Sequence, residues 1–321
     1  MKKEELVMTS PDFNYKLHGT VWSPDMPASA VKKVIHVVHG MTEHIGRYEE
    51  FAKAMTNAGI AVAGYDLRGH GRNFGDPECA SFISGSSQKS NDYGWKRAVK
   101  DIKVQAGVIR KMFPHADYYL MGFSLGSFLV RDLLKNVEMN PMSGVILVGT
   151  GNQPTIVTAI MKLVIRGEIR KANVGGTTNV IRNLAFNTYN QKFAPNQTDM
   201  DWLLSDQAYL DLYLNDPLVR KDIAADLFYE MIACMQRVNG QHAYIGHNDL
   251  RKVPVLLLSG EQDAVGNMGC GVEQVAKQMA TAGLRKVTVQ LIPEARHDVL
   301  HEYGNGGANT TIQTIKNWLG V

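Results

Sequence analysis

The feature that most restricts how this chain can fold is a recurring alternation between short apolar runs and longer amphipathic stretches. The runs Val34 to Val38, Ile60 to Tyr65, Tyr118 to Gly122, Gly144 to Val148, Val253 to Leu258 and Val287 to Ile292 are each of strand length. Between them lie patterns of helical period at Tyr48 to Ala58, Gly94 to Met112, Ser124 to Asn136, Gly271 to Ala282 and Thr310 to Leu319. Strands covered on both faces read as continuous apolar runs, and parallel neighbours need a crossover long enough to hold a helix. The rhythm therefore predicts an α/β fold with a mostly parallel central sheet flanked by helices. Only Val7 to Trp22 alternates in the manner of an antiparallel edge hairpin with one wet face.

The rhythm stops between Thr150 and about Leu250. Helical pieces at Pro154 to Arg166, Val174 to Phe186, Met200 to Leu214 and Ile223 to Val238 are separated there by breakers such as Gly175-Gly176 and Asp216-Pro217. No clean strand is legible in this stretch, and the strand pattern resumes at Val253. The expected organisation is a core formed by residues 1–149 and 251–321, interrupted by a helical cap at 150–250.

Composition narrows the function classes. With 34 basic and 31 acidic residues the net charge is +3, too small to imply nucleic acid as a main partner. Three cysteines, Cys79, Cys234 and Cys270, form no C-x-x-C pair and lack histidines at metal-ligand spacing, which argues against a disulfide framework and a zinc site. The opening M-K-K-E-E-L-V-M lacks the apolar stretch of a secretory leader, and no run approaches the ~18 apolar residues of a membrane span. A cytoplasmic protein acting on a small molecule is expected.

The chemistry is concentrated where predicted strands end. Tyr118 to Gly122 runs into G-F-S-L-G at 122–126, followed at once by a helical pattern. A serine held on so sharp a strand-to-helix turn is exposed above the sheet, and the flanking glycines allow the backbone to reverse without collision. Ser124 is the candidate nucleophile. A serine hydroxyl needs a base, and the base an orienting acid, and on this architecture the two follow the serine as acid and then histidine. Asp263 lies just after the run Val253 to Leu258, and His297 just after Val287 to Ile292, so both sit at the carboxyl ends of strands, where open α/β sheets place their sites. Glu261 and Asp298 compete with Asp263, and His301 competes with His297. Asp263 is preferred because it lies deeper in its turn, whereas Asp298 directly follows the histidine and points elsewhere. After Val34 to Val38 comes H-G-M-T-E-H at 39–44, a turn whose Met41 N–H can pair with the N–H of Leu125 as an oxyanion hole. His39, Glu43 and His44 are expected to hold that loop, and Arg68 and His70, in Y-D-L-R-G-H-G at 65–71, to be structural.

H-G-M-T-E-H-I-G-R-Y at 39–48, Y-D-L-R-G-H-G, G-F-S-L-G and D-W-L-L-S-D-Q-A-Y-L-D-L-Y-L-N-D-P-L at 201–218 together resemble the monoacylglycerol lipase and lysophospholipase group of α/β-hydrolases. The resemblance spans nearly the whole chain and is most specific in the 39–44 loop and in the S-D to D-P-L stretch. It implies the α/β-hydrolase fold and hydrolysis of carboxylic esters, often monoacylglycerols, without a metal or organic cofactor; the same triad also serves peptide or carbon–carbon bond cleavage, and a non-catalytic binding protein on this fold is the remaining alternative. It also implies Ser124, Asp263 and His297 as the triad and Met41 and Leu125 as oxyanion donors.

One segment bears on a partner. In Thr155 to Lys171, the cations Lys162, Arg166 and Arg170 recur every four residues, with Ile156, Val157, Ile160, Met161, Leu163 and Val164 on the other side of a helix. Such a helix either packs its apolar face on the protein's own core and leaves its cations in water, or lies on a membrane surface and gives the cap a peripheral membrane contact.

Overall fold

In a computed structural model of the chain the described residues are 1–11, 16–73, 79–80, 82, 94–135, 142–172, 176–240 and 251–321. Among them the strands are β1 (Lys2–Thr9), β2 (Lys16–Ser23), β3 (Lys33–Val38), β4 (Ile60–Tyr65), β5 (Cys79–Ala80), β6 (Asp117–Phe123), β7 (Gly144–Val148), β8 (Asp222–Ile223), β9 (Val255–Gly260) and β10 (Val287–Ile292). Eight of them form one sheet in the order β1-β2-β4-β3-β6-β7-β9-β10. β1 pairs antiparallel with β2, and β2 with β4; every later pair is parallel. β4, β7 and β9 are buried along their whole length, which explains their unbroken apolar reading.

The helices are α1 (Glu49–Asn57), α2 (Gly94–Met112), α3 (Leu125–Leu134), α4 (Thr155–Ile169), α5 (Asn179–Arg182), α6 (Thr188–Asn190), α7 (Gln207–Asn215), α8 (Ala225–Val238), α9 (Cys270–Thr281) and α10 (Gly307–Leu319). Phe51 and Met55 of α1 join Ile312 and Ile315 of α10 in one core cluster, while α2, α3, α8 and α9 contribute to a second cluster. Ile165, Ile181, Phe186 and Trp202 belong to that second cluster, so the insertion shares its apolar interior with the α/β body.

Three expectations need correction. Met200 to Asp206 is a series of turns rather than the start of a helix, and regular helix begins only at Gln207, where the Asp206 carboxylate caps the N–H groups of Ala208 and Tyr209. A strand does occur in the insertion: β8 pairs parallel with β5, at two residues each. Val174 to Phe186 is not one helix either. Val174 lies outside the described residues, and α5 is followed by a π-helical turn at Asn183–Asn187.

Buried polar groups tie the layers together. On β3, His36 places Nδ1 2.6 Å from the Tyr118 hydroxyl and Nε2 3.2 Å from Gln105 Oε1. Arg68 is buried against Asp101 and Ser10, joining the 65–71 loop to α2 and the start of the chain. Arg131, fully buried on α3, donates from Nη1 to the Gly151 carbonyl at 2.9 Å and from Nη2 to the Val238 carbonyl at 3.0 Å. Lys135 Nζ, one turn on, donates to the Arg237 carbonyl at 2.7 Å. The last carbonyls of α8, which have no partner within their own helix, are satisfied by these cations.

Candidate active site

Ser124 stands between β6 and α3 with φ 49° and ψ −115°, a backbone state that L-residues rarely occupy. The two glycines of the motif are required by close approach: a Cβ on Gly122 would lie 2.6 Å from the Gly126 carbonyl oxygen, and one on Gly126 would lie 2.1 Å from the Val38 carbonyl oxygen. The turn is held by the Ser124 N–H, which donates to the Val148 carbonyl at 2.9 Å.

Asp263 and His297 converge on this serine from the ends of β9 and β10. His297 Nε2 lies 2.9 Å from Ser124 Oγ, and its Nδ1 lies 2.8 Å from Asp263 Oδ1. The ionised carboxylate favours the tautomer in which Nδ1–H donates to Asp263, leaving Nε2 to accept from the hydroxyl. Asp263 is fully buried and also accepts from the N–H groups of Val265 and Gly266 and from the Ser259 hydroxyl, at 2.8, 3.1 and 2.8 Å. Burial alone would push its carboxyl up, but His297 and these donors outweigh it and hold the group below the usual carboxylate range.

The rivals lie elsewhere. Glu261 is exposed at the surface. Asp298 is buried with a different set of partners: Arg47 Nη2 donates to it at 3.0 Å, and His301 Nδ1 lies 2.9 Å away. The other nitrogen of His301 meets the Arg47 carbonyl at 3.0 Å, so this histidine is engaged with the Asp298 and Arg47 groups rather than with Ser124.

The 39–44 loop sits beside the serine turn, since a Cβ on Gly126 would also touch the His39 carbonyl oxygen, at 2.6 Å, and one on Gly40 would touch the Phe123 ring. Met41, in that loop, is half-buried, and Leu125 is the first residue of α3. The loop's shape is imposed from several sides. Glu43 accepts from the Gly40 N–H at 2.6 Å and the Tyr48 hydroxyl at 2.8 Å, and is paired with Arg47. His39 accepts the Leu67 N–H at Nε2, at 2.7 Å. Thr42 takes a positive φ of 69° and meets the Tyr213 hydroxyl at 2.6 Å.

The insertion supplies much of this bracing, and sequence reasoning missed it. Asp216 accepts from His44 Nε2 at 2.8 Å, and the Arg220 N–H donates to the Thr42 carbonyl at 2.8 Å. Arg296 Nη1 donates to the carbonyls of Asp201 and Leu204, the Asp298 N–H to the carbonyl of Leu203, and Glu302 accepts from Ser205 and Asp206. The available signal was the D-W-L-L-S-D to D-P-L stretch, legible as a motif but without an assigned role. A cavity of about 470 Å³ is lined by Arg182, Phe186, Met200, Tyr213, Arg220 and Asp222 among others, and by none of Ser124, Asp263 and His297. Among the described residues no group of three or more His, Cys, Asp or Glu is arranged to hold a metal ion.

Comparison with known proteins places the chain. The monoglyceride lipase of Rattus norvegicus is 22% identical over 294 residues, covering 91% of this chain and 84% of that one. A thermostable carboxyl esterase from Bacillus coagulans, solved in complex with glycerol, superposes with a TM-score of 0.82 at 21% identity, covering 99% of this chain and 98% of that one. A soluble variant of the Saccharomyces cerevisiae monoglyceride lipase superposes with a TM-score of 0.67 at 17% identity, covering 99% of this chain and 96% of the other. Residues 29–304 match the family described as serine aminopeptidase, S33, and the chain belongs to that family on the α/β-hydrolase fold.

Proposed function

We propose that this protein is a carboxylic ester hydrolase that works through an acyl-enzyme on Ser124. The observation that carries the reading is the unbroken line of contacts from Ser124 Oγ through His297 to Asp263. Ser124 Oγ attacks the ester carbonyl as His297 Nε2 takes its proton, and Asp263 stabilises the imidazolium that forms. The N–H groups of Met41 and Leu125 receive the developing oxyanion at the N-terminus of α3. His297 then protonates the departing alcohol and, in the second half, activates the water that releases the acid. Residues 150–250 act as the cap over this site.

Lipid-like monoesters are the preferred substrate class. The monoglyceride lipase relatives support it, and so does α4. The sequence left open which way this helix faces. Ile156, Ile160 and Leu163 are 71%, 59% and 72% exposed, whereas Lys162 and Arg166 lie 5.0 and 5.4 Å from the centre of the Tyr229 ring on α8. An apolar row of Ile156, Val157, Ile160, Leu163 and Val164 faces outward, while fully buried Ile165 and half-buried Met161 pack inward and Lys162 and exposed Arg166 lie along the edge against Tyr229. No described helix is long and apolar enough to cross a membrane. An outward apolar row suits peripheral contact with a lipid surface that holds the substrate.

The test joins fluorophosphonate labelling to a substrate panel. The reading expects labelling that is absent in Ser124→Ala, turnover reduced by several orders of magnitude in that variant, and kcat/KM rising with acyl length at up to ~0.8 kcal/mol per buried CH₂. Preference for peptide anilides over esters would favour the peptidase activity named in the family's description, and preference for acetyl esters would remove the lipid assignment. Phospholipid vesicles should retain the wild type and release a variant with Ile160→Ser and Leu163→Ser; equal retention of both would exclude contact through α4.

A further inference from the structure

Two hydrogen bonds aim the His297 imidazole, and they leave one freedom weakly restrained. Asp263 holds Nδ1, and about the Nδ1···Oδ1 line the ring can still turn, with only the Ser124 contact at Nε2 to resist it. The two nitrogen bonding directions of an imidazole are not collinear, and that turn therefore swings the Nε2 lone pair away from Ser124 Oγ while the Nδ1 contact survives. A flat wall against the ring suppresses that motion. His297 has two rings against it, each tilted 38° to the imidazole: the Phe123 ring, 5.1 Å away centre to centre, comes from the strand that leads to the serine, and the Trp202 indole, 5.3 Å away, comes from the 201–206 segment.

We propose that Trp202 is a positioning residue for His297, and that the insertion segment 201–206 is built into the triad as its orienting wall; the proposal rests on the hydrolase reading above. The segment is fastened to the histidine loop on both sides of the imidazole. Arg296 grips the carbonyls of Asp201 and Leu204, the Asp298 N–H holds the Leu203 carbonyl at 2.9 Å, and Glu302 takes Ser205 and Asp206. Trp202 thus lies between fixed points and is only 5% exposed. The indole also packs against Phe186 and Tyr189, with ring centres 6.3 and 5.5 Å away. The indole N–H is buried without a hydrogen-bond partner, a cost that an apolar side chain would not carry, so the flat ring and not a polar contact accounts for the placement. Turns rather than helix at 200–206 are what let the segment follow the histidine loop so closely.

The test replaces the flat wall by an apolar side chain that is not flat, and by a smaller flat one. Trp202→Leu and Trp202→Phe are compared with wild type on a short, soluble aryl acetate that makes no use of an acyl pocket. In Trp202→Leu, kcat should fall at least ~10-fold with KM within ~3-fold, because a small loss of aim costs rate rather than binding. Trp202→Phe, which keeps a planar ring, should recover kcat to within ~3-fold of wild type. A second reading needs no substrate: in proton NMR the far-downfield Nδ1–H signal of the His297–Asp263 bond should persist in wild type and Trp202→Phe and broaden in Trp202→Leu. Unchanged kcat together with an unchanged proton signal in Trp202→Leu would overturn the proposal, as would a loss confined to KM. If wild type hydrolyses no ester, the hydrolase reading fails while the proton signal still decides whether Trp202 orders the imidazole. Should Trp202→Leu not fold, Arg296→Gln, which frees the segment from one side, must lower kcat and broaden the same signal for the proposal to stand.

Discussion

Asp263 and Asp298 are both fully buried carboxylates close to His297 in the chain, and replacing each by asparagine separates orientation of the base from support of the scaffold. Asp298 accepts from Arg47 and His301, two charge-assisted contacts of about 1.5–3 kcal/mol each, and because the amide keeps one acceptor oxygen the expected loss of stability is about 2–4 kcal/mol. No charge is stranded, since Arg47 remains paired with Glu43. Asp263→Asn disturbs more contacts, those with His297, Ser259, Val265 and Gly266, and the amide can present N–H to His297 Nδ1 and so favours the tautomer whose Nε2 cannot accept the Ser124 proton. The corresponding change in a serine protease with the same triad lowers kcat about 10⁴-fold. The assay is kcat on a soluble ester, scaled by the folded fraction from circular dichroism, beside urea denaturation of both variants. Asp263→Asn should lose about 10³–10⁴-fold in kcat and Asp298→Asn less than about tenfold, with the denaturation midpoint shifted at least as far in Asp263→Asn as in Asp298→Asn. If folded Asp298→Asn were the slower enzyme, the orienting acid would have to be reassigned.

Two further outcomes concern stability. Burial holds His36 and His70 near a pKa of about 3, against an ordinary 6.5. Above 6.5 both are neutral in either state; below it the unfolded chain takes up protons that the folded chain refuses, so each histidine should remove up to roughly 1.4 kcal/mol of stability per pH unit between 6.5 and about 3. Urea midpoints measured down this range should fall less steeply in a His36→Gln variant than in wild type, and parallel curves would refute the assignment. At the serine turn, φ 49° with ψ −115° is costly for alanine and free for glycine, so Ser124→Gly should be more stable than Ser124→Ala by about 1 kcal/mol, as read by thermal or urea unfolding. Equal stabilities would mean that the turn carries no strain.

Much of this molecule is written in local sequence because its central strands are short, buried and flanked by glycine turns. Gly144–Val148 and Ile60–Tyr65 coincide with the apolar runs that announced them. The serine turn and the two strand ends that carry Asp263 and His297 were legible for the same reason: each follows a run whose end is marked by polar residues. What escaped notice depends on contacts far apart in the chain. Met200 to Asp206 has helical periodicity, yet Trp202 and the Asp201 and Leu204 carbonyls are drawn onto the histidine loop and the helix is forgone. The facing of α4 was open too, since an amphipathic pattern shows that a helix has two sides but not which one meets the protein. Arg47 reads as an ordinary exposed cation beside two glutamates; only the fold reveals that it joins Glu43 to Asp298.

Arg131 has a consequence for how such chains diversify. One guanidinium holds the carbonyls of Gly151 and Val238, so the roughly ninety residues between them form a closed loop whose mouth is the width of a single side chain. Closing a loop at so narrow a mouth costs little more for a long segment than for a short one. New material can therefore be spliced in or out between those points with small effect on the sheet, and substrate choice can drift while the serine turn stays still. The freedom is unequal along the loop: the exposed face of α4 is open to exchange, whereas Ile165, Ile181 and Phe186 are set in the core and the part from Asp201 to Arg220 is held to the His297 loop and to the 39–44 turn, and a graft that replaced it would have to bring its own supports.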